Sequence, residues 1–355
     1  MTDSKIKIEN LYKIFGKQPA EALEHVKQGV GKTELLEKHG HVLGLKDINL
    51  DIPGRGISVI MGLSGSGKST LIRHINRLIE PTSGRMVVDG EDVLEMNKSQ
   101  LIDFRRHKAS MVFQKFGLHV HRTVAENVAY GLVVQGVSMK SAKAQSHKWL
   151  ERVGLAGFEE HFPVQLSGGM QQRVGLARAL ATDAEILLMD EAFSALDPLI
   201  RTDMQDVLLD LQRELHKTIV FITHDLDEAL RIGDKIAILR DGELIQQGDP
   251  QQLIINPADD YIFDFVKDIN RGRVLQVRTL MSTDGTVQGP EIAGDMVLED
   301  ALQAVAATES RSANVLGEGE HIVGSITMDQ IIAGLARPDE LSQSCLLYTS
   351  PSPRD

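Results

Sequence analysis

Residues 62–70 read GLSGSGKST, and this segment constrains the fold more than any other part of the sequence. It fits the pattern G-x-x-x-x-G-K-[ST] and lies between an apolar run at 57–61 and a stretch with helical spacing. Glycines in such a loop let backbone N–H groups turn inward around phosphate oxygens, and the start of the next helix adds partial positive charge. The pattern predicts a strand, a phosphate loop and a helix from about Lys68 to Leu78.

The side chains of this loop suit a nucleoside triphosphate. Lys68 can reach the β- and γ-phosphates, and the Ser69 hydroxyl can ligate Mg²⁺. The residues expected to contact ATP here are Gly62, Ser64, Gly65, Ser66, Gly67, Lys68, Ser69 and Thr70.

A second apolar run, at 186–189, ends in two carboxylates, Asp190 and Glu191. A buried strand that ends in acids would bring them beside the phosphate loop. Asp190 then suits Mg²⁺, and Glu191 suits either a general base or a residue that positions the attacking water. The pair would mean little alone, but after a phosphate loop it indicates ATP hydrolysis.

Strand and helix signals alternate through the first 270 residues. Apolar runs predict strands near 6–11 and 218–222, and Asp197-Pro198 reads as the N-cap and first residue of an amphipathic helix. This alternation predicts an α/β domain with a largely parallel sheet. Residues 17–40 form a polar, helix-like insertion, and residues 123–181 are mostly helical.

Residues 166–173 read LSGGMQQR, where a serine and two glycines precede a helix and offer another anion site. With the other two motifs, this segment resembles the signature of the ATP-binding cassette (ABC) ATPases, a likeness that covers about residues 5–266. The resemblance implies a P-loop NTPase fold with a helical subdomain at about 115–181. It also implies that Ser167, Gly168 and Gly169 contact ATP bound to a second copy.

The same resemblance assigns further residues to the nucleotide site. Gln114 resembles the glutamine that touches Mg²⁺ and water, and His224 resembles the histidine that holds the γ-phosphate. Asp197 lies in a segment similar to the family's D-loop, and Phe15 resembles the aromatic residue that stacks on adenine. The implied catalytic set is Glu191, His224, Gln114 and Lys68, and the implied Mg²⁺ ligands are Ser69, Gln114 and Asp190.

In this family the nucleotide lies between two ATPase domains, so one set of motifs per chain implies a homodimer. The other implied partners are a transmembrane permease and, indirectly, an extracytoplasmic substrate-binding protein. The insertion at 17–40 and the segment 191–201, EAFSALDPLIR, look like the ATPase subunit of glycine betaine/proline betaine importers. An importer of another small solute, such as an amino acid, and a non-transport ABC ATPase remain the alternatives.

Composition agrees with an ATPase on the cytoplasmic face of a membrane rather than with a nucleic-acid binder. The 355 residues carry a net charge of -12, which argues against a protein that works by neutralising phosphates along a nucleic acid. No apolar run reaches the roughly 18 residues of a membrane span, and the start lacks a signal-peptide core. The single cysteine, Cys345, excludes an intrachain disulfide.

Charge also indicates a domain boundary near residue 270. Residues 284–340 hold eleven acids and two bases and follow a basic stretch at 267–278. We expect the ATPase domain at 1–270 and a small α+β domain at 271–340. The latter resembles one CBS module, with Leu298, Ala301, Leu302 and Val305 on one helix face. Residues 341–355 lack any helix or strand period and read as an unstructured or foreign tail. Which solute is carried, and whether this module binds a nucleotide or senses ionic strength, stay open.

Overall fold

The computed structural model of the protein describes residues 4–114, 116–194, 196–283, 285–317, 319 and 321–336. Two compact units divide between Gln247 and Gly248. In the described part of the chain, no helix is long and apolar enough to cross a membrane. The predicted tail at 341–355 lies outside the described residues.

The first unit alternates strands and helices. Its elements are β1 Ser4–Phe15, α1 Pro19–Lys27, α2 Lys32–His39, β2 Val42–Pro53, β3 Ile57–Met61, α3 Lys68–Ile75, β4 Ser83–Val88, β5 Glu91–Asp92, α4 Lys98–His107, β6 Ala109–Val112, α5 Val124–Val134, α6 Met139–Arg152, a 3₁₀ turn Pro163–Gln165, α7 Gly168–Ala181, β7 Ile186–Asp190, α8 Pro198–Leu215, β8 Thr218–Thr223, α9 Leu226–Ile232, β9 Lys235–Arg240 and β10 Glu243–Gly248.

The second unit is a smaller α+β body. Its elements are α10 Pro250–Ile255, α11 Asp260–Val266, α12 Arg271–Val274, α13 Val277–Leu280, β11 Glu291–Ala293, α14 Leu298–Ala306, β12 Ser312–Leu316, β13 Ile322–Thr327 and α15 Met328–Leu335. Its sheet has the order β11-β12-β13. Helix α14 buries Leu298, Ala301 and Val305, as predicted, while Leu302 is half-buried.

A six-stranded sheet of order β10-β9-β3-β8-β7-β6 forms the centre of the first unit. Strand β3 pairs in parallel with β8 and β9, and β7 pairs in parallel with β8 and β6. Every residue of β3, β7 and β8 is buried, because helices cover both faces of such a sheet. The carboxyl ends of these strands therefore meet at one edge, where β3 and β7 deliver the phosphate loop and the two acids.

A second sheet, of order β2-β1-β4-β5, carries the insertion. The predicted helix-like stretch at 17–40 is two helices, since Gly29 adopts a positive φ of 101° between them. Helix α3 ends at Ile75, three residues before the predicted end at Leu78, and Arg77 takes a left-handed φ of 52° just beyond it.

The predicted helical segment at 123–181 is confirmed as α5, α6 and α7, which pack on one another. Thr123 and Glu126 form a capping box at the start of α5. The domain boundary near residue 270 stays a prediction. The two compact units divide between residues 247 and 248, so α10 and α11 belong to the second unit.

Candidate functional site

The phosphate loop runs from the end of β3 to the start of α3. Gly62, Gly65 and Gly67 all have positive φ, at 145°, 78° and 104°. A side chain at Gly67 would also meet the Gly44 carbonyl oxygen at 2.8 Å, so the loop requires glycine there on two grounds. Ser64 and Gly65 are exposed, and Thr70 lies within the first turn of α3.

Lys68 is buried inside this loop. Its ammonium donates to the carbonyl oxygens of Gly62 and Leu63, at 2.8 and 3.0 Å. Burial lowers the pKa of Lys68 below its ordinary value, and the nearby carboxylates of Glu191 and Asp190 oppose that effect. A buried cation whose partners are carbonyl oxygens can exchange them for phosphate oxygens at small structural cost.

Asp190, the last residue of β7, lies at the foot of the loop with 1% of its surface exposed. The Ser69 hydroxyl donates to its Oδ1 at 2.8 Å, and Arg73 donates to its Oδ2 from Nε and Nη2, at 3.1 and 2.8 Å. The structure thus brings together two of the three predicted Mg²⁺ ligands, Ser69 and Asp190, while the third, Gln114, bonds to Glu191 instead. Arg73 was missed by the sequence analysis, although its position one helical turn after Ser69 places it on the same face of α3.

Glu191 follows Asp190 with a left-handed φ of 47°, which turns its carboxylate away from the strand direction. Its Oε2 accepts a hydrogen bond of 2.8 Å from Nε2 of Gln114. Its Oε1 lies 4.0 Å from Nζ of Lys68 and 4.0 Å from Nδ1 of His224. The four predicted catalytic side chains therefore meet around one carboxylate.

The loop after β6 that carries Gln114 is fixed by Arg178, a residue of α7 that the sequence analysis missed. The Arg178 guanidinium donates to the carbonyl oxygens of Phe116 and Gly117, at 3.0 and 2.6 Å. No motif marks Arg178, because its partners lie about sixty positions away in the sequence. The contact links the glutamine loop to the helix that begins with the LSGG segment.

Phe15 lies at the end of β1 with 39% of its surface exposed, and the Lys13 ammonium lies 4.9 Å from its ring centroid. The predicted stacking of this ring on adenine stays a prediction.

Ser167 and Asp197 lie at the starts of two helices, α7 and α8. Ser167 caps α7 by accepting from the Met170 N–H, and Asp197 caps α8 by accepting from the Ile200 N–H. Gly168 and Gly169 form the first turn of α7, and a side chain at Gly169 would meet Ile200 at 2.8 Å. Among the described residues, the hydrogen bonds of Ser167 and Asp197 stay within these two helix starts. Within the described part of the chain, no hydrogen bond joins the LSGG segment to the phosphate loop.

The residues at the loop fit a nucleotide with Mg²⁺. The Ser66 hydroxyl is buried and has no hydrogen-bond partner among the described residues, which suits a site built around a bound anion. Ser69 and Asp190 offer hard oxygen donors. No cluster of three acidic, histidine or cysteine side chains that could hold a metal occurs in the described ranges. Mg²⁺ at nucleotide sites takes one or two protein ligands and completes its shell with phosphates and water.

Comparisons with known proteins agree with this geometry. A family model described as ABC transporter matches residues 45–194. The glycine betaine transport ATP-binding protein OpuAA of Bacillus subtilis is 50% identical over 310 residues, which cover 86% of this chain and 74% of OpuAA. The trimethylamine N-oxide transport system ATP-binding protein TmoW of Pelagibacter ubique is 42% identical over 334 residues, which cover 94% of this chain and 97% of TmoW.

A solved structure has the same fold. It is the dimeric post-hydrolysis state of the ATP-binding cassette MJ0796 bound to ADP and Pi, with a TM-score of 0.59 and 32% sequence identity. The match covers 69% of this chain and 98% of the cassette. The α/β P-loop fold predicted from the motifs is thus confirmed, and the chain belongs to the ABC transporter family of ATP-binding proteins.

Proposed function

We propose that this chain is the ATP-hydrolysing subunit of an ABC importer for glycine betaine and proline betaine-type osmolytes. The observation that carries the proposal is the 50% identity to OpuAA over 86% of the chain; the side chains of Gln114, Lys68 and His224 that lie around Glu191 support it.

The chemistry assigned to the cluster follows from its distances. Lys68 would transfer its two hydrogen bonds from loop carbonyl oxygens to the β- and γ-phosphates. Glu191 would accept a proton from the attacking water, while Gln114 holds its other oxygen. His224 has 58% of its side chain exposed beside Glu191, so its ring can turn toward the γ-phosphate. Positioned carboxylates of this kind typically contribute about 10²–10⁴-fold to rate.

Ser69 and Asp190 would hold Mg²⁺, with Gln114 as a third neighbour. When bound, Mg²⁺ offsets the charge on the β- and γ-phosphates during transfer. The chain's own contribution is to keep Asp190 buried and oriented through Arg73. This arrangement positions a carboxylate without exposing it to water.

The partners follow from where the motifs lie. Among the described residues, no hydrogen bond joins Ser167, Gly168, Gly169 or Asp197 to this chain's phosphate loop, so we infer that they complete the site of a second copy. The helical segment at about 115–181 would contact a transmembrane permease on the cytoplasmic face of the membrane. An extracytoplasmic binding protein would select the solute, so nothing in this chain needs to bind it.

Trimethylamine N-oxide is the second candidate solute. The match to TmoW covers 94% of this chain and 97% of TmoW. The match to OpuAA covers only 74% of OpuAA. Both solutes are small methylated amines without net charge at neutral pH.

The second unit is proposed as a single CBS-like regulatory module. Its three-stranded sheet with α14 and α15 supports an α+β module of that kind. An acidic module beside a basic linker would make contacts that salt weakens over a screening length of about 10 Å. Hydrolysis and uptake rates that do not change with ionic strength would contradict this regulatory role.

The solute assignment is tested by competition. Vesicles that hold this chain with its permease and binding protein should take up labelled glycine betaine when ATP is inside. Unlabelled proline betaine should compete, and methionine should not. Stronger competition by trimethylamine N-oxide than by proline betaine would favour the second candidate, and competition by an amino acid alone would reject both.

A further inference from the structure

The two insertion helices are firmly attached to the nucleotide-binding unit. Helices α1 and α2 share a small core with β1 and β2. Its buried members are Ile14, Ala22, Leu23, Val26, Leu35 and Leu43. This core holds α2 in a fixed position, so a side chain on α2 can make a defined contact with a neighbouring loop.

Lys32, the first residue of α2, reaches the phosphate loop. Its ammonium donates to the Gly65 carbonyl oxygen at 3.2 Å and to Oδ1 of Asp241 at 3.2 Å. Asp241 lies in the turn between β9 and β10, so one side chain joins the insertion, the phosphate loop and that turn. Lys32 is 38% exposed, which leaves room for its ammonium to be desolvated further by a ligand.

The contact controls the direction of one peptide group. Because a trans peptide is planar, the Ser66 N–H points away from the Gly65 carbonyl that Lys32 holds. In this structure the Ser66 N–H donates to the Leu63 carbonyl oxygen, into the interior of the loop. The same Leu63 oxygen accepts from Lys68, so this peptide faces the space where phosphates would bind.

Backbone groups of neighbouring segments hold the next residues of the loop, Ser66 and Gly67. The Gly242 N–H donates to the Ser66 carbonyl oxygen at 3.0 Å, and Gly67 lies against the Gly44 carbonyl. These contacts fix the part of the loop next to α3. Gly65 has a positive φ, and a Cβ atom built on it would meet no other atom within 4 Å. Since no neighbouring group packs there, the orientation of the Gly65 peptide depends more on Lys32 than that of Ser66 or Gly67 does.

We propose that Lys32 is a positioning residue that orients the Gly65–Ser66 peptide and so sets the affinity of the site for nucleotide. This inference rests on the proposed nucleotide binding at the phosphate loop. It makes the insertion part of the nucleotide site, although the insertion contributes no catalytic residue. Loss of the contact should weaken ATP and ADP binding by about fivefold, the effect of roughly one hydrogen bond. The kcat at saturating ATP should stay within about twofold, because Lys32 does not touch the Glu191 cluster.

The test compares Lys32→Met with Lys38→Met in the full chain. Lys38 is on the same helix, pairs with Glu34 and is 68% exposed, so its loss removes a similar charge far from the loop. Dissociation constants for a fluorescent ATP analogue and for ADP, with KM and kcat for ATP, are the readouts. We expect Lys32→Met to raise both dissociation constants and KM about fivefold, Lys38→Met to leave them unchanged, and Lys32→Arg to recover most of the affinity.

Asp241→Asn provides an independent arm, since it removes the acidic partner without altering α2. It should raise the ATP dissociation constant about twofold, even if Lys32→Met folds poorly. Equal affinities in Lys32→Met, Asp241→Asn and the wild type would overturn the inference while leaving the proposed ATPase intact. A wild-type chain that binds no nucleotide would instead overturn both.

Discussion

Nε2 of Gln114 donates a 2.8 Å hydrogen bond to Oε2 of Glu191, and this bond joins the ends of two neighbouring strands. Gln114 follows β6 and Glu191 follows β7, which pair in parallel. The bond leaves Oε1 of Glu191 directed toward Lys68 and His224. A movement of the loop that carries Gln114 would therefore move the Glu191 carboxylate, which is proposed to accept a proton from the attacking water.

Replacement of Glu191 should separate binding from hydrolysis. Glu191→Gln keeps the size of the side chain and can still bond to Gln114, but it cannot accept a proton. We expect steady-state hydrolysis to fall by about 10²–10⁴-fold while the dissociation constant for ATP changes by less than about threefold. Phosphate release and equilibrium nucleotide binding measure the two effects. Hydrolysis at more than a tenth of the wild-type rate would rule out Glu191 as the base.

Arg73 should stabilise the fold by offsetting the buried charge of Asp190. Arg73→Met leaves Ser69 as the one side-chain donor to that carboxylate among the described residues, and it should lower the free energy of unfolding by about 1–3 kcal/mol. Arg85→Met is the control, because Arg85 pairs with Glu9 and Asp92 at the surface, where such pairs contribute about 0–1 kcal/mol. Urea unfolding without metal or nucleotide measures both, and equal losses would contradict the role given to Arg73.

His74 should make stability depend on pH. Burial lowers the pKa of His74 to about 4, while its Nδ1 donates to the Thr70 carbonyl oxygen at 2.6 Å. The unfolded chain takes up a proton near pH 6.5 and the folded chain does not, so stability is lost as pH falls from about 6.5 toward 4.

His74→Asn keeps a donor near Thr70 but cannot titrate. Between pH 7 and pH 5, the wild type should lose about 2 kcal/mol of unfolding free energy relative to this variant. Chemical unfolding at a series of pH values gives the two curves. Curves that run parallel over this range would show that the buried histidine does not carry the pH dependence.

Asn127 should maintain the surface proposed to meet the permease. It is fully buried, and its Nδ2 donates to the carbonyl oxygens of His119, Arg122 and Thr123. Asn127→Asp would place a carboxylate against these oxygens and distort the loop at 119–123. We expect uptake to fall at least about fivefold while hydrolysis by the isolated chain stays within about twofold, and stability to fall by about 1–3 kcal/mol.

Asn97→Asp is the matched control for that change, because Asn97 is an exposed N-cap of α4 and aspartate caps equally well. It should change neither uptake nor hydrolysis. Parallel loss of uptake and hydrolysis in Asn127→Asp would mean that the loop serves the ATPase core rather than coupling.

Local patterns predicted much of this molecule. The phosphate loop, the Asp190-Glu191 pair and the α8 cap are set by residues adjacent in sequence, so their elements could be predicted directly. The contacts of Arg73 with Asp190 and of Lys32 with Gly65 could not be predicted, because each depends on how separate elements pack. The insertion at 17–40 was predicted as helix-like without a division, and Gly29, with its positive φ, separates it into two helices.

The most direct test of the central claim is uptake of labelled glycine betaine into vesicles that hold this chain with its permease and binding protein. Wild-type chain and Glu191→Gln would be compared with ATP inside. The proposed function predicts uptake that requires ATP with the wild type, and none above background with Glu191→Gln despite normal ATP binding. Equal uptake by the two, or uptake without ATP, would contradict it.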